Sequence, residues 1–148
     1  MKLNTRSLLF PCLLIVLLSA RGVVSAPPLP NPVLYFMGAE TFQQGQKTFV
    51  KYHYDVFNKD QYPQDLFAAA PNLPPCGANT KSSRTWIDLY DQRGKRLYGF
   101  CAIAKPADLN QLYFALEQDA IPPSWVYIEM TDRQMNTKYK SNLAETSN

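Results

Sequence analysis

The sequence predicts an all-β protein: seven short strands in a two-sheet antiparallel sandwich, with one long loop tethered by a disulfide. Three observations carry that expectation. Stretches of alternating apolar and polar residues recur between turn residues, and hardly any helix interrupts them. Strands of this number and length, separated by turns, fit two packed antiparallel sheets. Setting aside an N-terminal leader leaves two cysteines, Cys76 and Cys101, the first of them in the longest connection.

The central stretch, residues 83–104, reads as a β-hairpin. Residues 85–90 and 96–103 are rich in aromatic and branched side chains, with Asp91-Gln92-Arg93-Gly94 between them. Asp opens a turn well, and a glycine at position 94 can take the positive φ that closes a type I turn with a bulge. Pairing Asp91 with Lys95 sets Leu89 opposite Leu97, Ile87 opposite Gly99 and Trp86 opposite Phe100. One face then holds Thr85, Ile87, Leu89, Leu97, Cys101 and Ile103, all uncharged, and is expected to be core. The other holds Arg84, Trp86, Asp88, Tyr90, Arg96, Tyr98 and Phe100.

The chain has 148 residues, enough for one domain with a real core. Residues 1–26 read as a secretory signal peptide: Lys2 and Arg6, an apolar run over residues 8–18, then small residues ending Val24-Ser25-Ala26. That run is too short to span a membrane as a mature helix. The mature protein is therefore expected to be secreted or periplasmic, without a transmembrane segment, and monomeric. Lys2, Arg6 and Arg21 leave with the leader, so 15 basic residues become 12, against 12 acidic ones. A neutral mature chain gives no basic patch for nucleic acid and no basic helix for a membrane surface. In an exported protein the even pair Cys76 and Cys101 reads as a disulfide, closing a loop worth about 3.5 kcal/mol in the chain-entropy model.

Residues 27–32, PPLPNP, form a proline-stiffened lead-in. The sandwich is expected over residues 33–144. Residues 33–37 make a short edge strand and 38–45 a turn region. Residues 47–58 alternate most clearly: Val50, Tyr52, Tyr54 and Val56 one way, Lys51, His53 and Asp55 the other. Residues 59–82 form the long connection, with one or two helical turns expected after Pro63. After the hairpin come strands over residues 109–116, 124–131 and 137–143. Residues 145–148 are expected to be a disordered tail.

The tyrosine-rich second strand (residues 50–56), the Trp86 strand, the hairpin, and Pro122-Pro123 leading into Tyr127 together resemble the immunoglobulin and fibronectin type III sandwiches. That resemblance implies an architecture and no activity. It also implies that the strand at residues 124–131 lies beside the strand at 85–90. The chain departs from antibody domains in its bridge, since Cys76 falls in a loop and not on a strand. The string LPPCG…SSRTWIDLYD…RLYGFCA also looks like a small exported domain whose function is not established.

Little in the sequence carries catalytic chemistry. No glycine-rich phosphate loop, His-Glu-x-x-His or Cys/His metal spacing occurs. His53 is the one histidine, and without a G-x-S-x-G elbow it builds no serine triad. Asp55, Asn58, Asp60 and Asp65 do not follow an EF-hand spacing. Neither a metal, nor a cofactor, nor an enzymatic activity is expected. One constellation remains. Trp86, Tyr90, Tyr98, Phe100, Trp125 and Tyr127 would share an outward aromatic face, either covered by the 59–82 loop, with residues 73–82 crossing the hairpin, or open to a protein or glycan partner. The sequence thus favours an exported binding module of unidentified partner. A carbohydrate-binding module would be favoured by coplanar Trp86, Tyr98 and Trp125. A small hydrolase would need a cleft joining His53 to two acids.

Overall fold

A computed structural model describes residues 27–76 and 82–147. The expected leader therefore lies outside the described residues. Strand β1 (Leu34–Gln44), β2 (Lys47–Val56) and β5 (Leu112–Glu117) form one antiparallel sheet in the order β1-β2-β5. Strand β4 (Arg96–Phe100), β3 (Thr85–Asp91), β6 (Trp125–Asp132) and β7 (Thr137–Lys140) form the other, in that spatial order. A two-residue β8 (Ala144–Glu145) adds to β6, which makes eight strands among the described residues where seven were expected. The fold is the all-β sandwich that the alternation implied.

Period-2 alternation puts the core where it should be. Tyr54 and Val56 of β2 and Leu112 and Phe114 of β5 are buried from the first sheet. From the second, Ile87 and Leu89 of β3 and Val126, Ile128 and Met130 of β6 join the same cluster. The β6 strand lies beside β3 in register Leu89↔Ile128 and Tyr90↔Tyr127, the adjacency that the resemblance implied.

Four expectations need correction. The region at residues 38–45 is strand up to residue 44, with only Gly45 in a turn: a bulge between Phe36 and Gly38 lets β1 run on, paired with β2, to Gln44↔Lys47. The bulge breaks the alternation there, so the pattern stops reading as a strand while the backbone ladder continues. The tail is not free at its start, because Trp125 pairs with Glu145 and Val126 with Ala144, and Thr146 is buried.

The third correction is the hairpin register. Its turn forms as expected: Gly94 has φ 82°, and the Asp91 amide donates to the Lys95 carbonyl at 2.9 Å. The Asp91 carboxylate also accepts the Arg93 and Lys95 amides. Beyond Tyr90↔Arg96, however, β4 gains a residue at a second bulge, and the pairs become Leu89↔Tyr98, Asp88↔Gly99 and Ile87↔Phe100. A one-residue slip moves side chains to the opposite face. Tyr98 and Phe100 thus leave the outer face, and Gly99 takes their place there. A β-carbon at Gly99 would lie 1.8 Å from the Arg96 guanidinium, which crosses that spot to reach Asp88 at 2.6 Å.

The fourth concerns the long loop. The short 3-10 turn Gln64–Phe67 supplies the helical turn expected after Pro63, and another at Lys59–Gln61 precedes it. Their apolar side chains Tyr62, Leu66 and Phe67 sink into the core instead of covering the outer face. The Thr85 hydroxyl donates to the Leu66 carbonyl at 2.7 Å, the Ala70 amide to the Ser82 carbonyl at 2.9 Å, and the Arg84 amide to the Ala68 carbonyl at 2.8 Å. The disulfide joins Cys76 to Cys101 as expected, with Cα atoms 5.5 Å apart. Residues 77–81 of the expected lid lie outside the described residues. The lead-in is docked as well: the Tyr62 hydroxyl donates to the Pro30 carbonyl at 2.9 Å, and burial pushes that phenol up to about 12.

Candidate functional site

The six aromatic residues divide between two places. Trp86, Tyr90, Trp125 and Tyr127 stay on the outer face of the larger sheet, on β3 and β6. Their rings are largely occupied by neighbours. Tyr90 stacks on Tyr127 at 5.3 Å, Lys140 sits 4.2 Å over Tyr127, and the Arg133 guanidinium sits 4.3 Å over Trp86. Arg96–Asp88 and Lys138–Glu129 ion pairs fill the rest. This side is a mosaic of rings under cations, which covers apolar area with long polar stems. Trp125, 40% exposed, is its most open ring. The coplanar trio of Trp86, Tyr98 and Trp125 does not form, because Tyr98 has gone to the other side of its strand.

Tyr98 and Phe100 instead meet Tyr113 where the edge strand β4 approaches the edge strand β5 of the opposite sheet. Ring centroids are 4.9 Å apart for Tyr98–Tyr113, 5.6 Å for Phe100–Tyr113 and 5.0 Å for Tyr98–Phe100. The Tyr113 and Tyr98 hydroxyls are hydrogen-bonded to each other at 3.1 Å. That bond and partial burial raise the Tyr98 phenol above its ordinary value, so it keeps its proton well past neutral pH. Beside the rings, Lys51 lies 4.3 Å over Tyr113 and 3.9 Å from Glu40, and His53 Nε2 lies 2.9 Å from the same Glu40 oxygen.

These groups wall a groove of about 530 Å³ between the two sheets. Tyr98, Phe100 and Tyr113 form one side, Asn110 and Gln111 the rim, and the Cys76–Cys101 bridge the end. A recess of about 350 Å³ continues it past Glu40 and Gly38, sharing His53 and Asn110. The loop disulfide thus anchors both the long connection and one end of the groove. Among the described residues His53 meets one carboxylate, Glu40, where a hydrolytic cleft would call for two. Among the described residues no group of three or more His, Cys, Asp or Glu side chains gathers as a metal site would require. No helix among them is long and apolar enough to cross a membrane.

Tyr113, Lys51, Asn110 and Gln111 were not singled out in the sequence. Tyr113 did carry a signal: it is the outward aromatic in the Leu112, Phe114, Leu116 alternation, and its register partner is His53. Comparison with protein-family models, with curated proteins and with solved structures finds no match, so the site stands on its geometry.

Proposed function

We propose that the protein is an exported, non-catalytic binding module on a fibronectin type III-like or immunoglobulin-like sandwich, and that the β4–β5 groove is its contact surface. The groove carries the reading. It is a concave cavity of about 530 Å³ with three aromatic rings and a few convergent polar groups, within the size range of ligand sites. The outer sheet face is less suited, since cations and ion pairs of the same chain already occupy its rings.

The strand order supports the architectural part. Immunoglobulin constant domains hold strands one, two, five and four in one sheet and three, six and seven in the other. Here β1-β2-β5 and β3-β6-β7 follow that division, and β4 pairs with β3 instead. Export is supported by the leader-like residues 1–26 and by the bridged cysteines.

A fragment screen read by amide chemical shifts tests the site. Small polar aromatic fragments are expected to move the signals of Gly99, Phe100 and Tyr113 more than those of Tyr90 and Tyr127. Fragments gathering at Trp125 and Tyr127, or finding no site at all, would overturn the assignment.

A further inference from the structure

We infer that the β4–β5 groove takes one ring of a neutral saccharide, stacked against Tyr98, with the ring hydroxyls held by the groove's amide rim. The inference rests on the groove being the contact surface and adds the class of ligand.

A sugar ring has an apolar C–H face and an edge of hydroxyls that both donate and accept. The groove offers the counterpart of each within one cavity. Tyr98 is 41% exposed, so part of its ring is open to a ligand. Phe100 and Tyr113 pack against it at 5.0 and 4.9 Å and hold its orientation. A ring already fixed loses little side-chain freedom on binding. At the rim, the exposed Asn110 and Gln111 each present an amide with two donors and an acceptor. The Tyr98 and Tyr113 hydroxyls bond to each other, so the accepting one of the pair keeps its own proton free to donate outward.

The charges decide against other ligands. Among the described residues Lys51 is the one permanent cation lining the groove, and it faces the Tyr113 ring and the Glu40 carboxylate. With its charge matched, the described lining has no surplus to hold a phosphate or carboxylate. An apolar lipid tail would desolvate Asn110, Gln111, Lys51 and His53 without replacing their hydrogen bonds. An extended peptide could add to the β4 edge, but that strand has five residues and a bulge, which shortens any ladder. The volume suits one ring in the main groove, with a second toward Gly38 and Glu40 in the adjoining recess.

Amide-shift titrations of the oxidised protein would use maltotriose, cellotriose, mannotriose and chitotriose, each to millimolar concentration. Trigalacturonic acid and an uncharged alanine–serine peptide serve as comparators. At least one neutral trisaccharide is expected to shift Gly99, Cys101, Asn110 and Tyr113 saturably. Tyr98→Ala should weaken that binding about tenfold or more, the loss of one well-buried contact. Tyr98→Phe, which keeps the stacking face, and Trp125→Ala should change it less than about threefold. Asn110→Ala gives a second test of the rim should Tyr98→Ala fail to fold, and is expected to weaken binding. If none of the neutral sugars binds, or if only the acidic sugar or the peptide shifts these amides, the saccharide assignment falls while a fragment-binding groove stands. If sugars shift Tyr90, Trp125 and Tyr127 instead, both the ligand class and the site are wrong.

Discussion

Phe67→Ala tests whether the long loop belongs to the core. Phe67 lies on the 3-10 turn Gln64–Phe67 in a connection, yet it is 1% exposed and sits edge-on to Tyr62 at 6.5 Å. Removing a fully buried phenylalanine costs about 3–5 kcal/mol, and the upper half of that range applies where surroundings cannot close the cavity. Here they are held. The Thr85 hydroxyl fixes the Leu66 carbonyl, the Ala70 and Arg84 amides bond to Ser82 and Ala68, and the disulfide fixes the far end. A domain of about 120 residues has a total stability of about 6–18 kcal/mol, so roughly 4 kcal/mol is a large share. The urea midpoint, followed by far-ultraviolet circular dichroism, should fall by about 2 M with an unchanged slope. Trp125→Ala, on the exposed side of β6, should stay within about 1 kcal/mol of the parent. A Phe67→Ala midpoint within about 0.5 M of the parent would mean the loop is a replaceable flap, and the sandwich would then have to hold its core without it.

Three further outcomes follow from the same packing. Replacing both Cys76 and Cys101 by serine should cost up to about 3.5 kcal/mol, since the bridge closes residues 25 apart in sequence; urea melts of the oxidised parent and the double variant measure it. Asp132 is buried; burial pushes its pKa up, but hydrogen bonds from Arg84 and from the Met135 and Gln134 amides outweigh that and hold it below the ordinary carboxylate value. The unfolded chain therefore takes up the proton first, so the Asp132 contribution is complete above about pH 4 and is lost as pH falls through the folded value; Asp132→Asn should flatten that part of the acid unfolding curve. Tyr54→Phe should leave thermal stability unchanged or slightly raised, because the Tyr54 hydroxyl lies buried near Thr146 without a hydrogen bond of ordinary geometry among the described residues; a drop above about 1.5 kcal/mol would mean that it has a partner.

Where backbone pairing and side-chain alternation agree, the structure was legible in the sequence. Val50 to Val56, Thr85 to Leu89 and Val126 to Met130 each alternate without interruption, and each lies on the face expected of it. The Gly94 turn was legible because a positive φ beside an Asp is a local requirement. The Cys76–Cys101 pairing needed no register at all. What failed were the bulges. At Phe36/Gly38 and again in β4 the ladder gains a residue and the alternation downstream inverts; Gly38, with φ 134°, made the first read as a turn, and no turn residue stands at the second. A bulge costs little locally and is decided by where the following side chains gain most, which depends on elements distant in sequence. Residues 144 and 145 pair for the same kind of reason: the register of β6 leaves Trp125 and Val126 an open edge that only the chain end reaches.

The β4 bulge is also what makes the groove. In the register read from the turn alone, Tyr98 and Phe100 would face outward beside Trp86, and the gap between β4 and β5 would be lined by Gly99. Slipping one residue sends both rings across the sheet edge to Tyr113, while Gly99 leaves room outside for Arg96 to reach Asp88. Two favourable arrangements thus depend on the same extra residue: an ion pair outside and an aromatic cluster inside. Burial of two rings outweighs the loss of one regular ladder step, since each ring buries far more apolar area than a single hydrogen bond is worth net. The same slip puts the most exposed of the three groove rings, Tyr98, in the groove that Asn110 and Gln111 also line. The candidate site is therefore a consequence of strand register, and the residues forming it come from β2, β4, the 3-10 turn at Pro106–Gln111 and β5, which no contiguous stretch of sequence contains.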